Sequence, residues 1–300
     1  MADRALCVVR AGALTTVQDL GRPGHAHLGV PRSGALDMPA AALVNRLVGN
    51  PPGAAVLETT LDGCAVRPRH EVTVVVGGAP CAVTVDGRPA AWGAPVRVPG
   101  GALLDVGRAR GGVRGYVGVA GGVAVEPVLG SRSTDLLSGL GPAPLATGDV
   151  LPLGEPARGG RAGAGVDAAA WVAPPAELVL RVTLGPRHDW FTAESVRTFL
   201  TRAYRVSSAS NRVGLRTEGP ALVRAPALRR ELPSEGMVSG AVQVPPDGRP
   251  VVFLADHPTT GGYPVVGVVR GADLAAAGQA APGTVVRFVG VRRRGGWVTV

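Results

Sequence analysis

Four segments of this chain carry more acids, amides, hydroxyls and guanidinium groups than turns require. The richest is Ala255–Pro264, ADHPTTGGYP, which directly follows the apolar run Val251–Leu254. Thr259 and Thr260 offer donors and acceptors for an oxyanion or amide. Gly261 and Gly262 permit sharp backbone geometry with amides turned toward a ligand, and Tyr263 closes the stretch. Asp256 beside His257 has the composition of an acid/base pair, but neighbours on a strand point to opposite faces and need not touch. In Ser207–Pro220, the run Ser210-Asn211-Arg212 sets a hydroxyl, an amide and a guanidinium side by side, a combination suited to a carboxylate or phosphate. Glu231–Pro250 contributes Glu235 and Gln243, able to face one pocket if a single strand joins them, while Asp247-Gly248 reads as a hairpin turn. The fourth, Thr15–Asp37, is long, irregular and polar, with Gln18, Asp19, Arg22, His25, His27, Arg32, Ser33 and Asp37. Such segments in compact domains tend to be functional. Turn and helix-capping duties compete for Asp19, Ser33 and Asp37. His25 and His27 would share a face of an extended chain, yet no third and fourth ligand lie nearby, so no metal site is expected.

Several chemistries are excluded or disfavoured. The chain has no Lys, which removes the Walker A lysine, Schiff-base formation and covalent biotin attachment. No Gly-x-Ser-x-Gly elbow or active-site Cys supports nucleophilic catalysis. The formal charge of +9 is carried by arginines spread along the chain, and only Arg292-Arg293-Arg294 forms a run. Without an aromatic-and-basic recognition motif, nucleic acid is not an expected partner. Cys7, Cys64 and Cys81 are widely spaced and read as reduced thiols of a cytoplasmic protein. No apolar run approaches the roughly 18–20 residues of a membrane span. The start reads as a first strand rather than a signal peptide.

The elements that must hold these residues are mostly strands. Val72–Gly78, Ala82–Ala90 with its Asp86-Gly87 turn, Pro95–Gly107 and Val113–Gly122 recur about every ten residues, the rhythm of a barrel or sandwich. One helix interrupts them within Leu36–Pro52, with Asp37 as N-cap, an apolar face of Leu43, Val44, Leu47 and Val48, and a stop at Gly49-Asn50. Gly154–Pro175 lacks periodicity and reads as a linker. Beyond it, strands are expected at Glu177–Gly185, Gly240–Pro245, Pro250–Asp256, Pro264–Val269 and Thr284–Val291, with a helix over Thr192–Tyr204 capped by Thr192. The expected organisation is residues 1–155, a linker over 156–175, and residues 176–300.

In order along the chain, GVPRSGALDMPAAALVNRLVGN, SNRVGLRTEGP, SEGMVSGAVQVPPDGRP and TTGGYP resemble the signatures of the allophanate hydrolase subunit 2 family, which includes the 5-oxoprolinase C subunits and part of the carboxyltransferase domain of urea carboxylase. The resemblance spans Thr15 to Arg287. It implies two cyclophilin-like β-barrel domains with a few short helices. It also implies a component of an ATP-dependent 5-oxoprolinase, opening 5-oxo-L-proline to L-glutamate with partner subunits A and B. Alternatives within the family are a carboxyltransferase moving a carboxyl group from carboxybiotin to urea or a similar amide, and a regulator of a subunit-B-like kinase inhibitor. For lactam hydrolysis, Ser210, Asn211 and Arg212 would hold an anionic group, with Gln243, Tyr263, Arg32, Ser33 and Asp37 also lining the substrate. Thr259, Thr260, Gly261 and Gly262 would bind the carbonyl or its phosphate, and Asp256 or Glu235 would handle protons. With no Lys here, ATP is expected to bind largely elsewhere in the complex.

Overall fold

A computed structural model describes residues 4–156, 170–228 and 230–291. Most of the proposed linker and the Arg292–Arg294 run lie outside the described residues. The chain divides into two compact units, Met1–Pro23 with Ser33–Pro174, and Gly24–Arg32 with Pro175–Val300.

The first unit contains β1 (Ala5–Arg10), β2 (Leu14–Gln18), α1 (Met38–Leu47), β3 (Val56–Thr60), β4 (Cys64–Pro68), β5 (Val72–Gly78), β6 (Cys81–Val85), β7 (Arg88–Ala90), β8 (Val96–Val98), β9 (Leu104–Ala109), β10 (Arg114–Val119) and β11 (Val150–Pro152). They form two sheets, β11-β1-β4-β9-β6-β7 and β2-β3-β10-β5-β8. One core lies between them, with Leu6, Val66 and Leu104 from the first sheet packed with Val17, Val74 and Val117 from the second. The other face of the second sheet is also covered, because Val44 and Leu47 of α1 pack on Val75 and Tyr116. This explains why every residue of β10 is buried. Asp37 caps α1 by accepting from Ala40 N at 3.1 Å. Asp86 and Gly87 take φ of 47° and 76° and turn β6 into β7, as an Asp-Gly dipeptide favours.

The second unit contains β12 (Glu177–Leu184), α2 (Ala193–Thr201), β13 (Ala203–Val206), β14 (Gly214–Glu218), β15 (Glu235–Gly236), β16 (Ala241–Gln243), β17 (Val251–Phe253), β18 (Thr260–Gly261), β19 (Val265–Val269), α3 (Gly271–Gln279) and β20 (Val285–Gly290). Seven strands close a barrel in the order β12-β19-β16-β17-β14-β13-β20, sealed by the parallel pair β12–β20. Along β12, exposed Glu177, Val179 and Arg181 alternate with buried Leu178, Leu180 and Val182, so one face fills the barrel. Thr192 caps α2 by accepting from Ser195 N, and Phe199 of that helix stacks against Phe288 with ring centroids 4.5 Å apart.

The chain is therefore mainly β with a few short helices, as expected. The closed barrel is the second unit, whereas the first arranges its strands as two sheets about a shared core. The helix α3 was not foreseen. Its Gly- and Ala-rich sequence has no N-capping side chain, and it is tied down instead by Asp273, which accepts from Arg181 N at 2.8 Å and from the Arg181 guanidinium. Among the described residues no helix is long and apolar enough to cross a membrane.

Candidate functional site

The barrel of the second unit has an outer face that is not left to solvent. On β16, β17 and β19, Val242, Val252 and Val266 are fully buried inside, so Ala241, Gln243, Val251, Phe253 and Val265 turn outward. These outward residues are buried as well, the four apolar ones in a cluster with Met237 and Gln243 as a buried polar side chain. What covers them is a two-stranded ribbon, β15 paired with β18, in register Glu235↔Gly261 and Gly236↔Thr260. The ribbon continues through Met237 N, which donates to Thr259 O at 2.8 Å.

Gly261 lies so close to this face that an added Cβ would fall 2.6 Å from Gln243 Nε2 and 3.2 Å from Met237 Cε. Gln243 Nε2 donates to Tyr263 O at 3.3 Å, which ties the segment after the ribbon to the barrel wall. The structure thus brings together Glu235, Gln243, Thr259, Thr260, Gly261, Gly262 and Tyr263, although Glu235 and Gln243 do not share a strand. The chain turns between them at Gly240, with φ of 84°, and both meet Gly261 instead. At the rim, Thr260 is exposed and Tyr263 is 43% exposed, above the buried Gln243 amide.

Other expected roles need correcting. Asp256 does not face a substrate: its carboxylate is wholly buried and accepts from Arg212 Nε and Nη2, each at 2.9 Å. The same pair commits Arg212, so its fork is turned into the protein rather than toward an external anion. Ser210 and Asn211 do not converge with it. Ser210 Oγ accepts from Arg216 N at 3.0 Å, and Asn211 Oδ1 accepts from Val213 N and Gly214 N at 2.9 and 3.2 Å, which shapes the turn into β14. Glu235 is gripped by Arg187, whose Nε donates to both carboxylate oxygens at 3.0 and 3.2 Å. These hydrogen bonds hold the Glu235 carboxyl below its ordinary range, the opposite of what a proton carrier near neutral pH needs. His257 is buried, with its ring stacked on Phe253 at 5.9 Å and Nδ1 2.7 Å from Pro258 O.

Arg32 is an exposed residue of the second unit. Ser33 and Asp37 belong to the first. Ser33 is buried at φ 54° and its Oγ donates to Thr134 O at 2.9 Å. Asp37, besides capping α1, donates its backbone N–H to Tyr116 Oη at 2.8 Å, and Tyr116 Oη donates in turn to Glu58 Oε2 at 2.9 Å. Leu36 N donates to the same Glu58 oxygen at 2.9 Å, so a buried carboxylate anchors the Ser33–Asp37 turn. Burial, together with the Glu58 and Asp37 charges, pushes the Tyr116 phenol well above its ordinary value and keeps it a donor. Glu58, Tyr116 and Arg187 were missed by the sequence reading. Glu58 sits in the strand VLETT with no local cue, whereas Arg187 lies in the polar run PRHDW directly after β12, which was signal enough to flag. Among the described residues no group of three or more His, Cys, Asp or Glu side chains is placed to hold a metal.

This chain belongs to the family described as the carboxyltransferase domain, subdomain A and B, which matches residues 28–290. Among curated relatives, it is 38% identical to the 5-oxoprolinase C subunit of Escherichia coli over 95% of this chain and 90% of that protein. It is 34% identical to urea amidolyase of Lachancea kluyveri over 94% of this chain but only 17% of that protein. The solved structure of the K. lactis urea amidolyase superposes with a TM-score of 0.85 at 30% identity, over 96% of this chain and 19% of that one. The chain thus spans nearly the whole bacterial protein and about a fifth of the yeast enzyme.

Proposed function

We propose that this chain is the C subunit of a 5-oxoprolinase, hydrolysing 5-oxo-L-proline to L-glutamate with ATP and with A- and B-type partner subunits. The observation that carries the reading is coverage: the match takes in 90% of the bacterial 5-oxoprolinase component, whereas the urea enzymes match as one segment of much longer chains. Cleaving a lactam requires donors for the negative charge that develops on its carbonyl oxygen. Thr259 and Thr260, with the backbone at Gly261 and Gly262, take that role, Gln243 holds the segment in place through Tyr263 O, and the exposed Tyr263 packs against the ring. Asp256 and Arg212 stiffen the loop that carries these groups. The chain has neither a Lys nor a Walker loop to reach nucleotide phosphates. ATP would therefore bind largely elsewhere in the complex.

The test is co-purification with the candidate partners followed by glutamate release from 5-oxoproline with ATP. Removing an oxyanion donor typically costs about 10²–10³ in kcat. Thr260→Val is therefore expected to lower kcat at least roughly tenfold with the melting temperature unchanged. The second reading, transfer of a carboxyl group to a small amide, is favoured by the family description and by the likeness to urea amidolyase. It wins if glutamate is absent and an avidin-sensitive carboxylation appears with a biotinylated carrier.

A further inference from the structure

The Thr15–Asp37 segment contains polar residues that the proposed function does not use, and two of them, Gln18 and Arg22, are buried against the Ser133–Thr134 segment. Arg22 is 1% exposed, Gln18 0% and Thr134 2%. Among the described residues, each has one side-chain atom without a hydrogen-bond partner: Arg22 Nη1, Gln18 Oε1 and Thr134 Oγ1. All three are held at the Ser133–Thr134 segment. Arg22 Nη2 donates to Ser133 O, Gln18 Nε2 donates to Thr134 O at 3.0 Å, and Thr134 N donates to Val17 O at 2.9 Å. The unpartnered Nη1 and Oε1 are the twins of those bonded nitrogens, so they lie within one covalent angle of the same segment. Gln18 cannot be flipped to relieve itself, because Oε1 would then face the Thr134 carbonyl.

The guanidinium also lacks a counter-charge. Arg22 otherwise donates to a second carbonyl, Val128 O, at 3.3 Å, and among the described residues no carboxylate pairs with it. The two acids nearby in sequence are already engaged. Asp19 accepts from Gly21 N, Ser131 Oγ, Arg132 N and Ser133 Oγ. Asp135 accepts from Leu137 N, Ser138 N and Ser138 Oγ. A buried charge and three buried polar atoms left in this way are costly. Gly141 adds a steric sign, since a Cβ there would overlap Ser133 O and come within 3.1 Å of Arg22 Nη2.

We propose that Arg22 Nη1, Thr134 Oγ1 and Gln18 Oε1 form a buried site for a small oxyanion that retains one proton, of the bicarbonate or dihydrogen phosphate kind. The anion's oxygens accept from the guanidinium and the threonine hydroxyl, and its O–H donates to Gln18. A bare halide or formate satisfies the donors but leaves Gln18 Oε1 unpaired.

The test is thermal unfolding of the full chain in graded sodium bicarbonate at pH 8 and sodium phosphate at pH 6, with chloride and formate at matched ionic strength. A saturable rise of roughly 3–6 °C with bicarbonate or phosphate, larger than with chloride or formate, is expected. Thr134→Val removes an atom with no protein partner. It should therefore melt no lower than the parent without added anion while losing the anion-dependent rise. Arg22→Gln should lose the rise too, but Thr134→Val decides the matter if that variant fails to fold. No saturable rise, a rise shared equally by chloride, a rise that survives in Thr134→Val, or a crystal structure grown in bicarbonate that shows only water each overturns the proposal.

Discussion

Replacing Asp256 separates a residue that holds the site from one that performs its chemistry. Asp256 and Arg212 are both 0% exposed and are joined by two hydrogen bonds of 2.9 Å. Breaking one side of such a pair strands a charge in the interior and costs about 3–5 kcal/mol. Asp256→Asn keeps the shape and one acceptor but turns an NH2 group toward the guanidinium, which sets its loss near the lower figure. For a chain of this size about 1 kcal/mol moves the melting temperature by about 2–4 °C, so a fall of roughly 6–12 °C is expected by circular dichroism. The amides of Leu254 and Asp256, which donate to Val213 O and Arg212 O, should exchange faster in the same variant. The double variant Arg212→Met with Asp256→Leu removes both charges at once and should recover more than half of the lost stability. If Asp256→Asn abolished turnover and melted within about 1 °C of the parent, the structural reading of this pair would be refuted and the acid/base role restored.

The Arg187–Glu235 pair carries a pH signature. Because hydrogen bonding to Arg187 lowers the Glu235 pKa, its contribution is fully present above the ordinary value of 4.5 and is lost as pH falls through the lower folded value. Amide exchange at Met237 should thus show no change in ribbon protection between pH 7 and 5, and Arg187→Ala should speed it by roughly 1.5- to 5-fold, the range for a part-exposed pair. Burial pushes the Cys64 thiol up to about 12 and the Cys81 thiol up to about 11. Iodoacetamide at pH 8 should therefore leave Cys64 unmodified in native protein and reach all three cysteines in urea, as read by mass; rapid native labelling of Cys64 counts against the packing described. Trp171 packs against Trp92 at 5.1 Å, donates from Nε1 to Gly93 O at 3.2 Å, and occupies the space a Cβ at Gly77 would need. Gly77→Ala should displace the ring and shift tryptophan emission to the red, and an unchanged spectrum would show that the ring has another seat.

What was legible in the sequence was local. The caps of α1 and α2, the Asp86-Gly87 hairpin and the strand rhythm all declare themselves within a few residues, because capping and turn chemistry act over that range. Direction of side chains across the fold was not legible. Ser210, Asn211 and Arg212 are adjacent in the chain, yet Arg212 turns inward to a carboxylate 44 residues away and its neighbours serve the turn. Glu235 is committed to a partner 48 residues earlier in the same way. A helix such as α3, with no capping side chain and an Ala-rich face, depends on the distant Arg181–Asp273 contact. Composition singled out the polar segments; only the fold decides which of their groups remain available.

That distinction bears most on Gly261. A pair of glycines after Thr259-Thr260 reads as freedom for a sharp turn, but Gly261 sits in β18 and neither glycine takes a left-handed φ. The reason for glycine is proximity: a Cβ at Gly261 would meet the ends of two side chains, Gln243 Nε2 at 2.6 Å and Met237 Cε at 3.2 Å. A Cβ there must push against either the amide or Met237, and Met237 is packed among Ala241, Val251 and Phe253. Gly261→Ala is therefore expected to displace the Gln243 amide or the Met237 thioether rather than to strain the backbone.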